Sequence, residues 1–325
     1  MRLKYCCLSI FLVCTISPFS FSVLANTPPV PKQVEVGLRV LDIRKVDDRR
    51  ESIRGEFVLS MSWTDTSLTV DGQESEISIP VAEVDFPTVM VRGVEQIEGF
   101  GQSIVKVSPN GVATYRHRYI GDIHQSFNFK EFPFDTQIWT IDLFNPEVGQ
   151  FRIEFNPSYL EELNHDSLST TNWEVKYLGY RHSELSNFGD PVQMLHLDFK
   201  LKRNPVFYIW KVMIPIMLVV FMSWSVFWIS PTNISAQLTV SVTAILTLVA
   251  FQFSVSQLMP PLSYLTKMDL FTIVADISVF LAFVETIITS YLQDRGQQHV
   301  SEKIDYYFRF LFPIAFVVTM TFILF

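Results

Sequence analysis

Cysteine is nearly missing from this chain. Only three of its 325 residues are cysteine, and Cys6, Cys7 and Cys14 all precede residue 25. That opening stretch has the pattern of a secretory signal: Arg2 and Lys4 lead an apolar run from Cys6 to Ile16, and Val23-Leu24-Ala25 sets small residues before a cut. A signal peptide over 1–25 would leave a mature chain starting near Asn26 without a thiol, which excludes disulfides and thiol chemistry from its fold and function. Catalytic signatures are missing as well. The six histidines are scattered, and there is no HExxH, no Ser/His/Asp motif and no phosphate-cradling glycine loop. The chain therefore reads as no enzyme, with no catalytic residue, no cofactor and no metal ligand. Positive charge is scarce too. Lys and Arg total 25 against 33 Asp and Glu, a net charge of −8 that becomes −10 once Arg2 and Lys4 are removed. Most of the acid precedes residue 200, which argues against nucleic acid as a partner and favours cations passing near an acidic exported domain.

What the chain does have is apolar residue in quantity: 49% of the sequence is hydrophobic, with a mean hydropathy of +0.26. This suits a protein half in water and half in a bilayer. From Val34 to Leu201 the pattern is strand after strand. Val34, Val36, Leu38 and Val40 alternate with polar partners, Phe57 to Trp63 follows, and Ser108-Pro109-Asn110-Gly111 makes a hairpin turn before Val112 to Tyr119. Leu195, Leu197, Phe199 and Leu201 alternate with His196, Asp198, Lys200 and Lys202, one face buried and one wet. Short strands without helical periodicity predict a β-sandwich over 26–203.

At Arg203-Asn204-Pro205 the composition changes. Apolar spans over about 206–229, 234–258, 269–292 and 306–325 predict four membrane helices within 204–325, the last preceded by a hydrophilic link from Gln293 to Asp305. In the second span Thr239, Thr243, Leu246, Ala250, Phe253 and Gln257 recur at steps of four and three and share one helix face. Hydrocarbon cannot satisfy a hydroxyl stripe, so this face meets either neighbouring helices or a water-filled lumen. Asp276 and Glu285, inside the third span, are costly carboxylates that face roughly opposite sides of their helix.

The order of these parts, with several short motifs, resembles the pentameric ligand-gated ion channels, the Cys-loop receptor superfamily. Phe132-Pro133-Phe134-Asp135 looks like the loop at the base of that family's outer domain. Met61-Ser62-Trp63-Thr64-Asp65 resembles its Trp-x-Asp strand, Arg203-Asn204-Pro205 its junction with the first membrane helix, and Ser223 to Trp228 the end of that helix. Pro260-Pro261 through Tyr264 is similar to the link between the second and third spans. The two loop cysteines of animal members match Gln125 and Trp139 here, which places the chain in the bacterial, cysteine-less branch.

The resemblance implies an all-β extracellular immunoglobulin-like sandwich followed by an all-α four-helix transmembrane domain. It further implies a homopentamer in the inner membrane, with the sandwich periplasmic and the six second-span residues lining the pore. Leu246 and Phe253 would then be the gate. Asp135, Arg203, Phe132, Pro133 and Pro260 would carry coupling. The agonist is expected between subunits at Tyr180, Phe188 and Phe144, although Val58 and Asp85-Phe86-Pro87 leave the family's aromatic box incomplete. Protons are the other expected stimulus, through His117, His124 or His182. Ser235-Ala236-Gln237 matches neither the cation-selective nor the anion-selective pattern of the family, and the acidic outer domain tips the expectation to cations. A non-conducting membrane-anchored periplasmic sensor is the remaining alternative.

Overall fold

The computed structural model describes residues 32–69, 74–146, 151–155, 170–187, 190–230 and 232–324. The expected signal peptide lies outside them. Among the described residues eleven strands come first: β1 Lys32–Asp47, β2 Ser52–Thr64, β3 Ile77–Pro80, β4 Met90–Val91, β5 Val94–Phe100, β6 Ile104–Val107, β7 Val112–His124, β8 Thr136–Phe144, β9 Phe151–Phe155, β10 Trp173–Asn187 and β11 Asp190–Arg203. They form two sheets. One runs β3-β6-β7-β2-β1-β9 with β5 also on β7, and the other runs β10-β11-β8-β4. Strand β7 shows why the layers face each other: Ala113, Tyr115 and His117 turn inward while Thr114, Arg116 and Arg118 stay in water. The β6–β7 hairpin closes at Gly111, whose φ of 78° favours glycine and whose N–H donates to the Ser108 carbonyl at 2.9 Å.

Aromatic rings fill the space between the sheets. Trp139, fully buried, lies 5.3 Å from Phe199 and 6.2 Å from Phe57, and Tyr177 packs on Phe199 at 5.3 Å. Each ring of this size contributes about 2–3 kcal/mol by leaving water. The alternation expected in β11 has one departure. His196 sits on the wet face yet is 7% exposed, because neighbouring strands cover it with polar partners.

Four helices long and apolar enough to cross a membrane follow: Val206–Trp228, Ile234–Val255, Lys267–Asp294 and Gln298–Ile323. The first contains a π-helical turn at Ile209–Met213 just before Pro215, which widens the helix where the proline ring would otherwise crowd the preceding turn. The third opens on a capping box, in which Asp269 N–H donates to Thr266 Oγ1 at 3.1 Å and Thr266 N–H donates to Asp269 Oδ2 at 2.8 Å. It ends at Gly296, φ 77°.

The fourth helix begins at Gln298, inside the stretch that reads as a link in the sequence. Hydropathy marks the part of a helix that suits lipid and misses a polar turn that packs on its neighbour. Ser301 and Asp305 are buried there, and Ser301 Oγ donates to the Thr289 carbonyl at 3.1 Å. The first and second spans are joined at their near ends by Gln237, whose Nε2 donates to the Ile229 carbonyl at 3.0 Å. Arg309 closes the same end from the fourth span, its Nε donating to the Phe227 carbonyl at 2.7 Å.

Candidate functional site

The second span buries one side and exposes the other. Gln237, Ser241, Ala244, Leu248 and Val255 pack into the single chain's bundle, whereas Thr239, Thr243, Leu246, Ala250 and Phe253 are exposed; the helix ends at Val255, so Gln257, also exposed, lies in the turn beyond it and not on the helical face expected of a span to residue 258. Leu246 and Phe253 are 65% and 71% exposed, a large apolar area for one chain to leave open. Hydroxyl donors on this face are spent on the helix itself. Thr239 Oγ1 donates to the Ser235 carbonyl and Thr243 Oγ1 to the Thr239 carbonyl, each at 2.7 Å. Their oxygens therefore face outward as acceptors.

At the base of the sandwich the chain gathers a second set of expected residues. Arg203, the last residue of β11, is 3% exposed and holds two carboxylates. Its Nε and Nη2 donate to Asp135 at 2.6 and 3.1 Å, and its Nη1 and Nη2 donate to Asp48 at 2.6 and 2.9 Å. The guanidinium lies 4.1 Å from the Trp173 ring and 4.8 Å from the Phe132 ring, so its faces are covered by aromatics and its edge by acid. Burial penalises the charge on Arg203, but the bonds to Asp48 and Asp135 outweigh it and hold the guanidinium firmly protonated. Asp48 is pushed above the ordinary aspartate range by burial, against the pull of Arg203.

The loop from Gln125 to Trp139 keeps its shape without cysteine. Gln137, 4% exposed, donates through Nε2 to the Asn128 carbonyl at 2.8 Å and to Asp135 at 2.6 Å, and accepts from Asn128 N–H at 2.9 Å. A single amide thus pins both sides of the loop and orients the carboxylate that Arg203 grips. The Phe132-Pro133 peptide within it is cis. Below, the loop is bonded to the link between second and third spans. Tyr264 OH accepts from Phe129 N–H at 3.0 Å, and the N–H groups of Lys267 and Met268 donate to the Lys130 and Phe132 carbonyls at 3.0 and 3.1 Å. Lys267 Nζ also meets Glu131 at 2.6 Å. Phe132, Asp135 and Arg203 are thereby brought together in one cluster, and the bonds to the link are made by Tyr264, Lys267 and Met268, downstream of Pro260.

The expected ligand residues are more dispersed. Tyr180 on β10 is 44% exposed, with the His182 ring edge 5.8 Å away. Phe144 on β8 pairs with Met194, three positions along β11 from the Leu197 that pairs with Tyr180, so the two lie about 10 Å apart along the strands and two strand spacings, about 10 Å, apart across them. Phe188 lies outside the described residues. Phe86 is a packing residue, set between Trp63 at 5.8 Å and Tyr115 at 4.8 Å. The histidines named from sequence divide: His117 is buried against Tyr115 and Tyr119, while His124 is exposed with Glu95 at 4.0 Å.

Between Tyr180 and Phe144 the fold assembles a network that no linear motif announces. Ser183 Oγ lies 2.6 Å from His196 Nε2, and His196 Nδ1 lies 2.5 Å from Asp142, which also meets Arg92 at 3.5 Å. It crosses β10, β11 and β8. Spacing in the sequence could not show it, since only strand register makes the three side chains neighbours.

Comparison with known proteins follows the same division of the chain. The neurotransmitter-gated ion-channel ligand binding domain matches residues 24–205, and the neurotransmitter-gated ion-channel transmembrane region matches residues 212–303. A proton-gated ion channel of Gloeobacter violaceus is 25% identical over 300 residues, 89% of this chain and 82% of its own length. The human gamma-aminobutyric acid receptor subunit rho-2 is 25% identical over 88% of this chain, which spans 64% of that subunit. A Caenorhabditis elegans gamma-aminobutyric acid receptor subunit beta is 24% identical over 58% of this chain, which spans 34% of it. With a β-sandwich ahead of four membrane-spanning helices, the chain belongs to the pentameric ligand-gated ion-channel family, the Cys-loop superfamily, and is a multi-pass membrane protein, not an enzyme.

Proposed function

We propose that this chain forms a homopentameric, cation-selective channel of the inner membrane, opened from the periplasmic side by a small ligand acting on the sandwich. The observation that carries the reading is the exposed face of the second span, because an apolar and hydroxyl-bearing stripe left open by one chain requires other copies to enclose it. Rings of Thr239 and Thr243 offer acceptor oxygens in place of part of a cation's hydration, and rings of Leu246 and Phe253 close the lumen by dewetting. The net charge of −8 supports cation entry over anion entry. Tyr180, with Phe144 and Phe188 as further contacts, is the ligand-facing aromatic of this reading.

Protons are the second stimulus, favoured by one specific feature. Asp48, in the Arg203 cluster at the seam between sandwich and helices, is raised above its ordinary value by burial, against the pull of Arg203. The Gloeobacter relative is named for proton gating. Recording from bilayers under asymmetric NaCl, during acid jumps and during application of small amines, tests both. Current reversing near the sodium equilibrium potential supports a cation channel, and the effective stimulus identifies its trigger. Current reversing near the chloride potential overturns the selectivity.

A further inference from the structure

One row of polar side chains crosses the whole of the second sheet. Its strands run β10-β11-β8-β4, and Ser183 on β10, His196 on β11, Asp142 on β8 and Arg92, the residue after β4, follow in that order on the wet face. Ser183 Oγ lies 2.6 Å from His196 Nε2, His196 Nδ1 lies 2.5 Å from Asp142 Oδ1, and Arg92 Nη1 lies 3.5 Å from Asp142 Oδ2. The chemistry of the groups fixes which donates. A carboxylate only accepts, and Asp142 has the Arg92 cation beside it, so the imidazole proton sits on Nδ1 and Nε2 accepts from the Ser183 hydroxyl. Exposure then divides the pair: His196 is 7% exposed, whereas Ser183 is exposed on the edge strand of the sheet. The base is shielded, and the hydroxyl it holds is open to a reagent. Arg181, which pairs with His196 across the strands, stands on the same face about 7 Å along β10 from Ser183. Its Nε donates to Asp198 at 3.0 Å, which fixes a cation near the hydroxyl.

We propose that Ser183 is a reactive serine that accepts one acyl group from an activated ester, with His196 as its base and Asp142 as the residue that positions His196. A serine bonded to one imidazole nitrogen, with a carboxylate on the other, is a nucleophile whose proton has somewhere to go. Ser183 Oγ adds to the ester carbonyl carbon as its proton passes to His196 Nε2. The bond from that carbon to the leaving oxygen then breaks, the departing oxygen takes the proton from Nε2 and leaves as an alcohol or phenol, and Ser183 keeps the acyl group as an ester. Negative charge that gathers on the carbonyl oxygen between these steps lies on the side of Arg181. An activated ester suits the site because a phenoxide leaves more readily than an amide nitrogen, and so asks least of charge stabilisation by an exposed cation. One acyl group per chain modifies the subunit and is not turnover.

The test is to treat the assembled full-length protein with p-nitrophenyl acetate, and separately with a biotinylated fluorophosphonate that displaces fluoride and leaves a stable phosphonyl serine, and to map both labels by peptide mass spectrometry. Label is expected on Ser183 ahead of every other serine, and it should vanish when the protein is unfolded before treatment. Ser183→Ala, at an exposed site, should elute as the same oligomer and lose the label. His196→Gln should slow labelling about 100-fold. If that variant does not assemble, the pair at Asp142 decides: Asp142→Asn should slow labelling, and Asp142→Glu should recover part of the rate, a rescue that repacking alone does not give. Label spread evenly over exposed serines, equal labelling of folded and unfolded protein, a wild-type rate in His196→Gln, or Asp142→Glu no faster than Asp142→Asn would each overturn the proposal.

Discussion

Arg203 grips Asp135 from two nitrogens, at 2.6 and 3.1 Å, while the same guanidinium reaches Asp48 at 2.6 and 2.9 Å. One buried cation thus ties the exit of β11 to the loop that rests on the membrane helices and to the turn between β1 and β2. Removing either partner strands a buried charge. Arg203→Ala or Asp135→Ala should cost about 3–5 kcal/mol and abolish stimulus-evoked current. The exchanged pair Arg203→Asp with Asp135→Arg should restore part of the current if the pair itself transmits opening, with surface expression as the control.

The proposed pore face makes a separate prediction. If Leu246 forms the proposed apolar ring, Leu246→Ser places a hydroxyl where that ring would exclude water, and water should then enter the closed lumen more readily. Resting conductance and stimulus sensitivity should both rise in oocyte recordings. An unchanged closed-state conductance would remove Leu246 from the gate.

Tyr264 offers a milder lesion at the same seam. Tyr264→Phe deletes the acceptor for Phe129 N–H and leaves that amide short of a partner, at a cost of about 1 kcal/mol. Thermal unfolding should shift little. The stimulus concentration for half-maximal current should rise several-fold if the contact is made more strongly in the open state.

Two aspartates should give opposite signs in acid. Burial raises Asp48 in the folded protein above its ordinary value, so the folded state holds a proton that the unfolded state has released; the stability gained from it grows as pH falls through the raised value and is complete below the unfolded one. For Asp65, burial pushes upward, but Lys32 at 2.6 Å and the bonds from Ser67 outweigh it and depress the carboxyl. Its stability is present above the unfolded value and is lost as pH falls through the depressed one. Thermal midpoints followed from neutral to acid pH should show the Asp65→Asn loss fading in acid. Asp48→Asn should remove the part of any acid-evoked current that depends on breaking the Asp48–Arg203 contact.

Much of the fold lay open to reading because the period of the sequence changes at Arg203. Alternation in β7 and β11 marks a half-buried sheet, and uninterrupted apolar runs mark lipid-length helices. The exposed face of the second span was readable for the same reason, since steps of four and three put Thr239 through Phe253 on one side. Polar residues that are buried by packing were not readable. The start of the fourth helix at Gln298 is hidden by Ser301 and Asp305, which look solvent-facing until the third helix covers them. His196 is hidden likewise, because its partners Ser183 and Asp142 stand 13 and 54 residues away in the chain. Register between strands, not spacing along one of them, makes that network.

Gln137 has a practical corollary. A loop shut by an amide where animal relatives use a disulfide is indifferent to reducing agents, and residues 26–325 contain no native sulfhydryl to compete with an introduced one. A lone reporter thiol placed at Leu246 or Tyr180 could therefore be modified selectively in dithiothreitol-pretreated protein, and its rate of modification would show directly when each position opens to water.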